Sequence, residues 1–566
     1  MSAVTRRTDS MAPFVAFMVF LLAAAGTASI WTLAGLFSGT STGFVNPVEQ
    51  LRDGAPWTSA HTAAAVLVGI VVVGLVVAIA VVTVRRGRDR SPADKAARHM
   101  GTGREIAPLT PASLRKRHQR MGLPPEFVGV TVGHTVAGTV PLRASYEDTL
   151  TVIAGPRRNK SASIVIPNAV AAPGSLLITS VRPDIAADTL TVRSSVGKVS
   201  MFDPQRLASA YRGHDCWWNP LAGIRTIDDA AQLAEVFAAA TYGHEGNKDP
   251  YFPTTGKSLM THYLFAAAMG GKYLPTVLEW LNHDDNPAPA NVLRKSHPHL
   301  ADGIEALQAL TERTRSGVYG YARTAMNFLV SDSIRTWVQP VPGEEAFDPE
   351  AFATAPADTL YLFSEEGPGS AGPLIAALTK AVLNAAENTA KQEPSGRLKR
   401  PLMVILDEAG NICRIPDLPK KYTTYGGRGI IPVTILQTEE QGVDVWGESG
   451  FGQLWASSTV QVFGGGNASN KFLRDLSERI GDYEYQERST STHDGKRTVS
   501  RSRRSERIME VADLGALSLG RMVVLASGCR PALVRSIPWW NDKAIAKLNA
   551  AAVAAGPKKE LDNAAF

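Results

Sequence analysis

The sequence predicts an α/β protein: a mostly parallel sheet, interrupted by an all-α insertion domain and preceded by a two-helix transmembrane hairpin. Three observations predict it. Two long uncharged apolar stretches open the chain, short apolar runs without alternation recur after residue 150, and helical periodicity separates those runs into two groups. A chain of 566 residues is too long for one compact domain.

Residues 11–48 and 54–84 contain no Asp, Glu, Lys or Arg. Each stretch supplies the roughly 20 apolar residues that a spanning helix needs, at about 12–36 and 62–84. Arg6 and Arg7 precede the first, Arg85, Arg86, Arg88 and Arg90 follow the second, and the loop between offers only Arg52. This asymmetry predicts a two-pass anchor in the cell membrane with both termini in the cytoplasm and residues of about 38–60 outside. A cleaved signal peptide is the competing reading of the first stretch, and it would leave the large domain outside unless the second stopped transfer. The second stretch is apolar on every face, unlike a helix buried in a soluble domain.

Residues 91–140 read as a juxtamembrane linker and the start of the soluble domain. The nucleotide-binding domain is expected over 141–226 and 336–545, the all-α domain over 227–335, and a flexible tail over 546–566. Apolar runs at 150–154, 174–181, 197–204, 358–364, 401–410, 429–438 and 458–466 read as strands covered on both faces. The Arg/Ser-rich stretch 487–507 reads as a solvated hairpin or loop. The three cysteines, Cys216, Cys413 and Cys529, are widely spaced and form no C-x-x-C pair. Neither a disulfide framework nor a zinc site is expected, and a reducing compartment fits. A net charge of +6 with pI near 9.1 permits anionic partners, nucleic acid or lipid.

The stretch TVIAGPRRNKSASIVIPN, residues 151–168, carries strand, turn and helix start in the order of a phosphate-binding loop. Such a loop wraps phosphates in successive backbone N–H groups, adds a helix N-terminus, and supplies a lysine for the β/γ oxygens and a hydroxyl for Mg²⁺. The candidate nucleotide-binding residues are Gly155, Pro156, Arg157, Arg158, Asn159, Lys160 and Ser161. Asn159 stands where the pattern G-x-x-x-x-G-K-[ST] wants its last glycine. That glycine serves a positive φ, which Asn tolerates better than most residues. A literal Gly256-Lys257-Ser258 occurs downstream, but Tyr251 replaces its first glycine and no strand precedes it. It reads as a helix N-terminus capped by Thr254 or Thr255.

The run LMVILDEAG, residues 402–410, is an apolar strand ending in Asp407 and Glu408. This is a Walker B arrangement, in which Asp407 holds the Mg²⁺ shell and Glu408 polarises the attacking water. Gln437, at the end of the next strand, is placed to sense the γ-phosphate or orient water. Arg428, between glycines, serves either as an arginine finger in a neighbouring subunit or as a salt-bridged surface residue.

The order of these parts resembles the type IV secretion coupling proteins, the TraG/TraD-like conjugative DNA-transfer ATPases of the FtsK/HerA superfamily. The resemblance runs from the apolar stretches through the loop and IVIPN, LLITSVRPDIAADT, FDP and WWNPL, the helical insertion, LDEAGNICRIPDLP, GGRGI and ILQ to ALVRSIPWW, covering roughly residues 10–540. It implies a RecA-like nucleotide-binding domain, ATP and Mg²⁺ as cofactors, and a membrane-anchored, usually hexameric ring. Its partners would be a relaxase with single-stranded DNA and the type IV secretion channel. It further implies Gly155, Lys160 and Ser161 as the P-loop, Asp407 and Glu408 as the Walker B pair, Gln437 as sensor and Arg428 as the trans-acting arginine. Asn159 departs from the family pattern and bears on turnover rate. It favours the alternative of a non-hydrolysing receptor that docks substrates onto the secretion machine; a double-stranded DNA translocase is a third reading.

Overall fold

The computed structural model describes residues 12–41, 43–54, 56–88, 91–214, 216–243, 250–493 and 496–555. The chain divides into two units, 1–91 with 484–505, and 92–483 with 506–566.

In the first unit, helices Ala12–Ser38 and Ser59–Arg88 occupy the stretches expected to span a membrane. They pack against each other, with Gly26 facing Val68 and the Trp31 ring edge-on to His61 at 4.2 Å. Among the described residues no helix is long and apolar enough to cross a membrane. The described side chains cover only 25–38 and 59–74 of these helices. The apolar residues 12–24 and 75–84, with Arg6, Arg7 and Arg90, lie outside them.

In chain order the strands are β1 (Val130–Thr135), β2 (Pro141–Ala144), β3 (Leu150–Ile153), β4 (Leu176–Ser180) and β5 (Val199–Phe202). There follow β6 (Cys216–Trp217), β7 (Glu345–Ala346), β8 (Thr359–Phe363), β9 (Leu402–Leu406), β10 (Ile430–Leu436) and β11 (Val460–Phe463). The last four are β12 (Asp482–His493), β13 (Lys496–Arg507), β14 (Arg521–Ala526) and β15 (Ala532–Arg535). The main sheet has the order β2-β1-β15-β14-β11-β3-β10-β9-β4-β8-β5. From β11 to β5 all pairings are parallel, and from β11 outward through β14, β15 and β1 to β2 they are antiparallel.

The parallel strands are the apolar runs of the sequence, and each is buried along its whole length. Side chains of a strand alternate between faces. Met403, Ile405, Ile431, Val433 and Ile435 accordingly enter one core, while Leu402, Val404, Leu406, Ile430 and Leu436 enter the other. The second of these cores continues into the insertion, which is helical from Ile227–Tyr242 through Asp332–Arg335. Its first helix starts at a capping box, where the Thr226 hydroxyl accepts from Asp229 N–H.

The structure sharpens two expectations and corrects one, that of a flexible tail. The linker 91–140 contributes β1 to the main sheet, because His134 and Thr135 pair with Arg535 and Val534 far downstream. The tail expected to be flexible from 546 begins instead with helix Lys543–Ala555, whose Ile545 is buried with Ile166, Val170 and Val192. The Arg/Ser-rich stretch forms the two-stranded ribbon β12–β13; its expected tip, 494–495, lies outside the described residues.

Candidate functional site

Strands β3, β10 and β9 are neighbours and parallel, so the loops after them share one edge of the sheet. In open α/β sheets ligands bind at that edge, beyond the carboxyl ends of the strands. The loop 155–161, Gln437 and the pair Asp407-Glu408 follow these three strands.

After β3, Gly155 N–H donates to Gly465 O at 2.9 Å. Arg157 and Asn159 then adopt left-handed backbones, with φ of 58° and 59°. Asn159 thus takes the conformation expected of the missing glycine, and Lys160 next to it is already helical at φ −53°. The backbone N–H groups of Arg157, Arg158, Asn159, Lys160 and Ser161 donate to no group among the described residues. Consecutive unpaired amides in a turn of alternating hand form an anion-binding concavity. Counted back from Lys160, the pattern's first glycine falls on Ala154, so Gly155 stands one residue inside the expected frame.

The helix entered at Lys160 is wound as a π-turn over Ser161–Val165 before becoming α-helical over Ile166–Val170. Pro167 has no N–H to donate and its ring crowds the carbonyl four residues back, which disfavours a regular α-turn there. Asn168 docks the helix on β1: its amide donates to Thr131 O at 3.0 Å, and Thr131 N–H donates to Asn168 Oδ1 at 2.6 Å.

Lys160 Nζ lies 3.6 Å from Glu408 Oε1, with both side chains about nine-tenths buried. Gln437 Nε2 donates to the other oxygen, Glu408 Oε2, at 2.8 Å. Glu408 itself is left-handed, at φ 56° and ψ 39°, an uncommon backbone for a residue with a side chain. Asp407 is buried, its Oδ1 has no hydrogen-bond partner among the described residues, and Thr179 Oγ1 donates to its carbonyl at 2.9 Å. Burial, and then the neighbouring charge of Glu408, push the Asp407 carboxyl up to about 7, against the pull of Lys160. The free amides, the Lys160 ammonium, the Ser161 hydroxyl and the orphaned Asp407 oxygen together fit a nucleotide phosphate chain with Mg²⁺.

Arg428 is not brought to this site. It ends the helix Leu418–Arg428 before β10, whereas Gln437 follows β10, a strand of about 23 Å. Its guanidinium pairs with Glu387, which also holds Lys421 at 2.7 Å and Lys391 at 3.6 Å. Of the two roles left open by the sequence, the described chain displays the ion-paired one. The literal Gly256-Lys257-Ser258 is excluded as a loop. It lies inside helix Tyr251–Met269, whose N-cap is Pro250, so neither Thr254 nor Thr255 caps it. Lys257 pairs there with Glu235 at 3.0 Å.

Sequence reasoning missed residues that complete the site. Gly464, Gly465 and Gly466 after β11 lie against the P-loop so closely that a Cβ on Gly466 would sit 2.7 Å from Gly155 Cα. The glycine triplet at a strand end was the available signal. Arg158 Nη1 donates to Leu517 O at 2.6 Å, which ties the loop to the segment before β14. Asn411 and Gln441 join Glu408 and Gln437 in one hydrogen-bonded ring. A groove of about 650 Å³ at the joint with the insertion holds none of these residues.

The fold is that of a RecA-like α/β protein, and the loop 155–161 is its candidate phosphate site. Residues 401–518 match the family described as the TraM recognition site of TraD and TraG, and the TraG/TraD-like resemblance read from the motifs is borne out. The chain is similar in fold to the bacterial conjugative coupling protein TrwBdeltaN70 in an unbound form, at 18% identity and a TM-score of 0.54, over 76% of this chain and 92% of that one. TrwB in complex with a non-hydrolysable ATP analogue gives 18% identity and 0.53, with 76% and 92% covered. TrwB with ADP and Mg²⁺ gives 17% and 0.52, with 76% and 93% covered. No curated protein sequence matches the chain.

Proposed function

We propose that the chain is a membrane-anchored ATPase of conjugative DNA transfer. It receives a relaxase–DNA substrate and delivers single-stranded DNA to a type IV secretion channel, working as a ring of copies, hexameric by analogy with the family. The observation that carries this reading is the left-handed Asn159 next to Lys160, with Lys160 facing Glu408 and Gln437. TrwB structures with an ATP analogue and with ADP and Mg²⁺ support the choice of cofactors. The left-handed backbone of Asn159 supports phosphate binding, which a non-hydrolysing receptor would share, so turnover is what separates the two readings.

In this reading the amides of 157–161 and Lys160 hold the β/γ-phosphates, while Ser161 and Asp407 hold Mg²⁺. The ion supplies charge neutralisation on the phosphoryl oxygens. Glu408, relieved of Lys160 when the ammonium turns to phosphate, accepts a proton from the attacking water, and Gln437 orients that water and Glu408. Arg428 would act in a neighbouring copy. Residues of about 12–36 and 62–84 would anchor the protein with both termini in the cytoplasm.

The test is ATP turnover by the full chain in detergent, with and without single-stranded DNA. Stimulation by that DNA, and loss of turnover in Lys160→Ala and Glu408→Gln with folding retained, are expected. Unchanged turnover in both variants would sink the site assignment, and stimulation by double-stranded DNA alone would favour the third reading.

A further inference from the structure

Glu408 does more than face Lys160. Its Oε2 accepts from Gln437 Nε2 at 2.8 Å and from Asn411 Nδ2 at 3.3 Å. Gln441 closes the ring: its Nε2 donates to Asn411 Oδ1 at 3.2 Å, and its Oε1 accepts from Gln437 N–H at 2.7 Å. Gly410 lets the two elements meet, since a Cβ there would lie 3.0 Å from Gln441 Cβ.

Asn411 links the ring to a loop outside it. Asn411 Nδ2 also donates to Glu366 Oε1, at 2.7 Å, shorter than its bond to Glu408. Glu366 belongs to the loop 364–371 after β8, which is exposed over 365–369 and where Gly367 and Gly369 have φ of 99° and 77°. That loop is held by one side chain from the loop after β5. Gln205 Oε1 accepts from Ser364 Oγ at 3.1 Å and from the N–H groups of Glu365 and Ala371, each at 3.0 Å. Next to Gln205, Pro204 O accepts from Ser333 Oγ at 2.6 Å, at the last helix of the all-α insertion. Hydrogen bonds joined through the peptide links 204–205 and 365–366 therefore run from the insertion to the carboxylate facing Lys160.

We propose that Asn411 is a positioning residue that couples the loop 364–371 to Glu408. This rests on the reading of Lys160 as a phosphate ligand. While Lys160 pairs with Glu408 Oε1, that carboxylate is partly neutralised and the Asn411 amide leans to Glu366. A phosphate that takes Lys160 leaves Glu408 with its full charge, and charge-assisted hydrogen bonds to it strengthen. Asn411 then moves toward Glu408 and loosens its hold on Glu366. The loop 364–371, and through Gln205 the segment leading to the insertion, thereby report the state of the nucleotide site. Run in reverse, a substrate that displaces the loop sets the position of Glu408, as linkage requires.

The test is amide hydrogen exchange of 364–371 in the full chain in detergent, with and without Mg²⁺ and the non-hydrolysable ATP analogue ADPNP, alongside the Kd for that analogue. Exchange of the loop should rise on binding by about threefold or more in the unaltered chain. In Asn411→Ala the rise should vanish. Glu366→Ala, at an exposed position that leaves the ring intact, should abolish it likewise while Kd stays within about threefold. Binding without any change in the loop, or a rise that persists in both variants, overturns the coupling. If the analogue does not bind the unaltered chain at all, the phosphate-site reading itself fails, and the coupling falls with it.

Discussion

Of the chain's three Lys-Ser pairs, the two weighed as phosphate loops have opposite fates. Lys160-Ser161 lacks the adjoining glycine yet sits where a buried parallel strand ends, with its neighbour Asn159 left-handed and its ammonium turned to Glu408. Lys257-Ser258 has its glycine, but that glycine is helical and packs on a ring; a Cβ there would meet Tyr321 Cδ1 at 2.5 Å. A glycine before a lysine can serve a turn or a close helix contact. What separates the two is the preceding strand, which delivers the loop to the edge where β10 and β9 also end.

The largest expected contrast is between the lysines and their partners. Lys160→Ala should weaken ATP binding by about 100-fold, the scale of removing one member of a buried charged pair, and isothermal titration measures it. Glu408→Gln should leave binding near its original value and lower kcat by about 100-fold or more, if Glu408 is the base. Turnover within a few-fold of the unaltered chain in either variant would erase the distinction between the two regions.

Next in size is a pH effect. Asp407 titrates near 7 in the folded chain, well above its ordinary range of about 4. Below that pH it is protonated and a poor Mg²⁺ ligand, so Mg²⁺-dependent nucleotide affinity should rise roughly tenfold per unit up to pH 7 and then level off. The sign for stability is the reverse. A carboxyl with a raised folded pKa favours the fold at low pH, and that contribution is lost as pH rises from about 4 through 7. Asp407→Asn should flatten both profiles, followed by fluorescence-detected binding and melting.

Smaller effects probe the backbone. Asn159→Gly should bind nucleotide at least as well as the unaltered chain, whereas Asn159→Val forces a β-branched residue into the left-handed region at about 1–2 kcal/mol and should weaken binding several-fold. In the other region Gly256→Ala should lower stability by about 1–3 kcal/mol through overpacking on Tyr321, with nucleotide affinity unchanged. Lys257→Ala, which loses a partly exposed pair with Glu235, should shift stability by less than about 1 kcal/mol and affinity not at all.

Much of this was legible in the sequence for a local reason. Strands buried on both faces must be continuous apolar runs, so β3, β4, β5, β8, β9, β10 and β11 could be read directly. The φ of Asn159 followed from its neighbour lysine. The antiparallel extension was not legible, because β1 and β2 carry Gly133, His134 and Arg143 among their apolar residues and gain their place by pairing with β15 and each other. Asn411 and Gln441 were equally silent. Each is an ordinary polar residue until the helix after β10 is laid over the turn after β9.

The sequence by itself determined the elements that rest on interactions within a few residues: the apolar strands, the helical insertion, the phosphate-loop residues and the acidic pair. The tertiary structure decided which Lys-Ser faces the acidic pair, which oxygens of Glu408 are engaged and by whom, and that Arg428 stands at the far end of β10 from Gln437. Those facts depend on groups brought together from distant parts of the chain by the order of strands in the sheet, and strand order leaves no mark on the local pattern of residues.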